Sequence, residues 1–221
     1  MVSLADITHV LATAQSSAVL LQMLMELEGD VSLTFGDTHM AGDTEFLSTY
    51  YSSYLITLLL ENEINEAQML TRRLPESLVN GDSTIQNTIS LLRAVWNQNH
   101  AKIYNIIRTT QWPSNINPLV QQYQLFFQNK TFQDISLAYG SIRPSTAAHY
   151  LGLDFAGEDI MRDSTDGPDP ELVAIPTEKG WEWNAESKLF SPKVTTHVPK
   201  VTVSGGAAIA QSAAQLRSHG D

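Results

Sequence analysis

Chemistry-bearing side chains are densest in ENEINEAQMLTRRLP, residues 61–75, where Glu61, Glu63 and Glu66 precede Arg72 and Arg73. Paired carboxylates do general acid–base work when their surroundings push their pKa values apart. Here Glu61 closes one apolar helical stripe and Glu66 opens the next, where a carboxylate complements the helix dipole. The stretch reads as a solvated turn between two helices, not as a catalytic pair. Asp37, His39 and Asp43 in GDTHMAGD are metal-ligand types. A zinc centre needs three or four ligands in fixed geometry, and no second histidine cluster lies nearby in sequence, so a polar surface loop is expected. DSTDGPD, residues 163–169, lacks the alternating acidic spacing and the terminal glutamate of a calcium loop. The six histidines (9, 39, 100, 149, 197 and 219) form no His-x-His or HExxH pair. No phosphate-cradling or nucleophile-elbow glycine motif occurs. Without cysteine there is no thiolate, disulfide or cysteine-held zinc, which fits an intracellular compartment. The sequence motivates neither an enzyme nor a cofactor.

Composition narrows the partners. Twenty-four acidic against 13 basic side chains give a net charge of −11. Such a surface repels phosphate backbones, which proteins bind chiefly through Lys and Arg, so no nucleic-acid partner is expected. The amino terminus has no basic n-region, and Asp6 and His9 interrupt its apolar character; neither a signal peptide nor a membrane span is expected. With 221 residues, 43% of them hydrophobic, the chain can bury one large or two small cores.

The elements read as helices joined by short loops. Ser3 and Asp6 form a capping box, and Ile7, Leu11, Ala14, Ala18, Leu21 and Met25 then follow one helical face. A loop is expected from Glu28 to Asp43, with Asp43 capping a helix that carries Phe46, Tyr50, Tyr54 and Leu58 beside Leu47, Tyr51, Leu55 and Leu59. So wide an apolar face packs on two sides. The three tyrosines belong to the core, as do Trp96 and Trp112. Asn65, with Gln68, caps a helix that Pro75 ends. Asp82 or Ser83 opens another, with Ile85, Ile89, Leu92 and Trp96 in register. His100 to Arg108 is short, QWPSNINP breaks the chain, and Leu119, Tyr123 and Phe126 continue on a further helix. The pairs suggest a degenerate antiparallel helical stack without a strict repeat signature.

The pattern changes near Asn129. TFQDISLAYGSI reads as one short helix, and RPSTAAHYLGLD as a second with Ser145 or Thr146 as cap and Gly152 as stop. ELVAIPTEKG is a third, shortened by Pro176. WEWNAESKLFSP alternates like a hairpin, placing Trp181 and Trp183 on one face against the third helix. Three small helices followed by a hairpin is the order of a winged helix. The segment that would read DNA, Ser145 to Leu151, holds no Lys or Arg, which disfavours that role. KVTTHVPKVTV is extended. A final helix places Ile209, Ala213 and Leu216 on one side; with two glycines it is marginal alone and is expected to order against partner helices.

Four stretches in collinear order carry a resemblance: YLITLLLENEINEAQMLTRRLP (54–75), SLLRAVWNQNHAKIYNIIRTTQW (90–112), ISLAYGSIRPSTAAHYLGL (135–153) and EKGWEWNAESKLFSP (178–192). They resemble the PCI-type scaffold subunits formed by subunit eight of the COP9 signalosome, a proteasome lid subunit and subunit k of translation initiation factor three. Gly180-Trp181 is shared across this group. The Asn-Glu-Ala turn with Arg-Leu-Pro, and Gln-Trp before the loop, favour the signalosome branch. An acidic insertion around Asp163 to Asp169 departs from the compact animal pattern.

The resemblance implies a mainly α fold: a degenerate helical-hairpin (TPR/HEAT-like) repeat domain at 1–128, a winged-helix domain at 129–193 and a C-terminal assembly helix within 194–221. It implies a non-catalytic scaffold subunit, in cytoplasm and nucleus, of the complex that removes Nedd8 from cullins. The partners it implies are other signalosome subunits: subunit three through the winged helix, others through a C-terminal helical bundle. Winged-helix edge strands join by β-augmentation, which makes Lys188, Leu189, Phe190 and Ser191 the candidate pairing strand and Ile209, Ala213 and Leu216 the candidate bundle contacts. The equivalent subunit of the proteasome lid or initiation factor is the alternative; a winged-helix nucleic-acid binder is a more distant one.

Overall fold

One helix organises the molecule because a long run of its sequence offers water no charged side chain. AGDTEFLSTYYSSYLITLLL forms α3 (Ala41–Leu60), and every residue from Phe46 to Leu60 is buried, serines and threonines included. A helix buried on every side belongs in the centre of a bundle. In the computed structural model, which describes residues 3–34, 41–153 and 170–192, α3 packs against six other helices. These are α1 (Leu4–Thr13), α2 (Ser17–Thr34), α4 (Ile64–Arg73), α5 (Glu76–Gly81), α6 (Ser83–Trp96) and α8 (Asn117–Ala138). Both stripes expected on this helix are buried. Tyr50 donates to the Leu24 carbonyl at 2.6 Å, tying α3 to α2.

The Ser3–Asp6 capping box is present. The face expected to run from Ile7 to Met25 is instead split between α1 and α2, because Ala14 turns extended and Ser16 caps the second helix by accepting from the Val19 amide at 3.3 Å. The register shifts with it: Leu20, Leu24 and Val31 are buried and Met25 is 56% exposed. The expected loop is shorter than 28–43, since α2 runs to Thr34 and α3 begins at Ala41, which puts Asp43 inside the first turn and not at the cap. Asp37 and His39 lie outside the described residues.

α3 and α4 are joined as α6 and α7 (His100–Thr109) are, 36 positions further on (62 to 98). α3 ends in a Schellman motif: the Asn62 amide donates to Leu59 and the Glu63 amide to Leu58, with Asn62 at φ 61°. α6 ends the same way, Gln98 donating to Val95 and Asn99 to Ala94, with Gln98 at φ 51°. In both, the residue after the left-handed one is the N-cap of the following helix. The burial repeats too: Leu55 and Leu91, Leu59 and Val95, Ala67 and Ile103, Leu70 and Ile106 are buried at equivalent places. Glu63 therefore occupies the cap expected of Asn65. Asp82 caps α6 as expected, its carboxylate accepting from the Ile85 amide at 3.0 Å.

α8 serves two cores. Its first half, with Leu119, Val120 and Tyr123, closes the large core around α3. From Phe132 onward it belongs to a smaller one with Ile135, Ile142, Ala147, Leu151, Trp181 and Phe190. The change of core falls between Phe127 and Phe132, but no helix begins at Thr131: the short helix expected there is the continuous last third of α8. α9 (Pro144–Leu151) starts after Arg143, with Pro144 at its first position and no cap from Ser145 or Thr146. Gly152 ends it in the left-handed conformation, φ 62°. There the Tyr104 ring of α7 lies so close that an added Cβ would sit 2.3 Å from it. Gln128 donates to the Leu151 carbonyl at 3.0 Å and the Arg108 guanidinium donates to that of Gly152, fastening α9 to α7 and α8.

Candidate assembly interface

The small core is built around one indole. α10 (Pro170–Glu178) holds Pro176 and closes in a Schellman motif whose left-handed residue is Gly180, φ 97°. The Gly180 amide donates to Thr177 and the Trp181 amide to Pro176. This turn drives Trp181 into the core, 1% exposed, where its ring stacks on Phe132 at 4.7 Å between centroids and its Nε1 donates to Ser136 at 2.8 Å. The ring thus packs on the end of α8, in a core against which Val173 of the third helix of the group, α10, also packs. Trp183 shares that core side, 5.0 Å from the Phe190 ring.

Strand β1 (Glu182–Asn184) pairs antiparallel with β2 (Leu189–Ser191), Trp183 opposite Phe190. The Asn184 carboxamide accepts from the Glu186 and Ser187 amides, and Lys188 closes the turn at φ 53°. Four residues forming such a turn, the last left-handed, match the right-handed twist of a hairpin.

The position of β2 decides which edge is open. The Phe190 amide and carbonyl both bond to Ile142, each at 2.9 Å. Ile142, read from sequence as helical, is therefore the third member of the sheet, and β2 lies inside. Consequently Trp183 faces Phe190 without exchanging hydrogen bonds, and the Trp183 amide and carbonyl point away from the hairpin. Of the sequence candidates, Lys188 belongs to the turn; Leu189, Phe190 and Ser191 form the inner strand, with Phe190 wholly buried. Ile209, Ala213 and Leu216 lie outside the described residues, as do the acidic stretch 163–169 and the extended segment after Pro192. Sequence alternation found the hairpin but not its outer edge, because Ile142 joins the sheet through one residue and has no strand pattern of its own.

The carboxylates singled out in residues 61–75 lie at helix ends. Glu61 follows the last residue of α3, Glu66 lies in the first turn of α4, and neither is buried. Arg73 pairs with Glu28 at 3.0 Å, on the surface. Burial pushes the Tyr51 and Tyr54 hydroxyls up to about 12, and Tyr50 higher, as core phenols require. His100, between the Phe127 and Tyr150 rings, is held below the ordinary histidine value by desolvation, with a smaller contribution from His149. Among the described residues no group of three His, Asp or Glu side chains could hold a metal, and no helix is long and apolar enough to cross a membrane. Trp112 packs on the large core and donates to Ile107, whereas Trp96, expected in the core, is 49% exposed.

The profile of the CSN8/PSMD8/EIF3K family matches residues 45–201, which run from the second turn of α3 through β2. Similar proteins include the COP9 signalosome complex subunit 8 of Emericella nidulans, 38% identical over 72% of this chain and 70% of that protein. Those of Xenopus laevis, at 26% over 67% and 69%, and of Dictyostelium discoideum, at 24% over 67% and 68%, are also similar. The match runs through both cores and both Schellman turns of the helical stack, and on it the chain belongs to the CSN8/PSMD8/EIF3K family.

Proposed function

We propose that this chain is a non-catalytic scaffold subunit of a COP9 signalosome, supporting the complex that removes Nedd8 from cullins in cytoplasm and nucleus. The observation that carries the proposal is the name shared by these relatives, COP9 signalosome complex subunit 8. The roles of proteasome lid and initiation-factor subunits have no comparable support. Tagged purification from the native cell followed by mass spectrometry is the test: signalosome subunits in stoichiometric yield are expected, and lid or initiation-factor subunits in their place would reverse the assignment.

In this reading residues 129–193 act as a winged helix on a helical-repeat domain, 1–128, a division supported by the change of core along α8. The joining edge is β1 in place of the inner strand, and subunit three is its proposed partner. Proline is tolerated where the lost amide faces outward. Trp183→Pro removes that amide and the ring together, whereas Trp183→Ala removes the ring alone. Greater loss of assembly in the proline variant, at equal hairpin stability, would identify backbone pairing; equal loss would exclude it. Ile209, Ala213 and Leu216 complete the proposal as contacts to a helical bundle, where burying Ile209 and Leu216 contributes ~1.5–3 kcal/mol each. Truncation after Lys200 should then weaken assembly and leave the chain folded.

A further inference from the structure

α4, α5 and α6 enclose a groove of about 360 Å³ on the face of the helical stack. Its apolar wall is formed by Val79, Ile89 and Leu92, and Trp96 stands at the side, 49% exposed. Arg72 from the last turn of α4 and Arg93 from the last turn of α6 line it, both exposed. No acidic side chain lines the groove, and neither guanidinium pairs with a carboxylate among the described residues. In a chain of net charge −11, this groove is lined by two cations and no carboxylate, beside a half-exposed indole. Each helix C-terminus adds only about half a negative charge, so two full guanidinium charges leave the site positive.

We infer that this groove is a docking site for a short acidic peptide segment of another protein, one in which Asp or Glu flanks a Leu or aromatic side chain. The apolar wall and Trp96 take the anchor, and Arg72 and Arg93 take carboxylates in the two-pronged geometry that guanidinium favours. Its volume, at the low end of the ~300–1,000 Å³ typical of ligand clefts, suits one or two side chains and excludes a whole helix. An exposed tryptophan and arginine are also the side chains most often found to dominate protein interfaces. A nucleic acid is the less favoured ligand, since two arginines on a strongly acidic chain are few against a phosphate backbone. The site lies on the helical stack, away from β1, and binding here requires no other subunit.

A displayed library of random heptapeptides, panned on the full chain, tests it. Enriched sequences should carry two or more acidic residues beside a Leu, Phe or Trp. Measured as synthetic peptides by fluorescence anisotropy, they should weaken with added salt and lose about tenfold in affinity or more in Arg72→Glu/Arg93→Glu. Trp96→Ala should weaken them as well, through loss of the anchor contact. Should charge reversal unsettle the helices, Arg72→Gln/Arg93→Gln gives the same ranking with the fold checked by circular dichroism. Enrichment without an acidic signature, or acidic peptides that bind the arginine variants as well as the native chain, would overturn the assignment. So would a labelled RNA or DNA duplex that binds more tightly than the peptides and is lost in the same variants.

Discussion

Four described helices end on a residue in the left-handed conformation, and the two regions of the molecule fill that position differently. In the helical stack it is Asn62 and Gln98, at φ 61° and 51°; around the small core it is Gly152 and Gly180, at φ 62° and 97°. Asn62 and Gln98 are exposed, so a side chain there has water to enter, and their φ values lie in the narrow left-handed basin that L-residues can occupy. Gly152 has the same φ but no room, because the Tyr104 ring covers its α-carbon. Gly180 has room, with no atom near a would-be Cβ, but its φ lies beyond the basin. Glycine is thus required for two distinct reasons in one region and for neither in the other.

The largest effect should come from Gly152→Ala. The new methyl must displace the Tyr104 ring, and overpacking of this kind adds to left-handed backbone cost, about 3 kcal/mol or more in total. Urea unfolding measures it. The loss should shrink by about 1 kcal/mol or more in a Tyr104→Ala background, where the obstruction is gone. A loss no larger than that of Gly180→Ala would mean that the ring is not the obstacle. Gly180→Ala comes second, at about 1–2 kcal/mol, because only the backbone conformation opposes it. In a Trp96→Phe/Trp112→Phe background the remaining indoles, Trp181 and Trp183, report the small core alone, and the loss should appear in their fluorescence transition.

This contrast also explains what the sequence made legible. Gly152 and Gly180 are visible because glycine announces a left-handed residue, and Gly152 as a helix stop and Gly180-Trp181 as a family mark both correspond to such turns. Asn62 and Gln98 announce nothing, since both residues are common in helices and loops alike. By residue type Asn65 is the better cap, two places beyond Glu63, and the repeat to which Glu63 belongs leaves no mark in the sequence. The wide apolar face of α3 was legible because thirteen turnless residues from Phe46 to Leu58 leave no other reading. Trp96 misleads for the opposite reason. It continues the Ile85–Ile89–Leu92 stripe in sequence, but α6 ends there and the stripe outlasts the core that covers it. The outer edge of the hairpin is not legible in the sequence, because the pairing of Ile142 is a tertiary event without local pattern.

The two equivalent turns of the helical stack differ in one detail. Asn99 caps α7 with its side chain, accepting from the Lys102 amide at 3.0 Å, whereas Glu63 caps α4 without a side-chain hydrogen bond. Asn99→Ala should therefore cost about 1 kcal/mol, while Glu63→Ala should change stability little. Equal losses at the two sites, read from paired urea curves, would show that the turns are stabilised by something other than the cap.

The smallest effect concerns the left-handed residues themselves. Asn62→Gly and Gln98→Gly each remove the backbone penalty of a side-chain-bearing residue, but they also give the unfolded chain more freedom to lose. The two contributions oppose, and a net change of about 0.5 kcal/mol or less is expected at each site. Gln98 should show the more favourable change. Asparagine is the residue whose short side chain tolerates this conformation best, and glutamine lacks that advantage. A clear gain at Gln98 beside no gain at Asn62, in thermal unfolding of both variants, would place the strain of the repeat in its second turn. The reverse order would mean that the Asn62 side chain, whose amide oxygen accepts from Lys130 of α8, contributes less than the freedom it restricts.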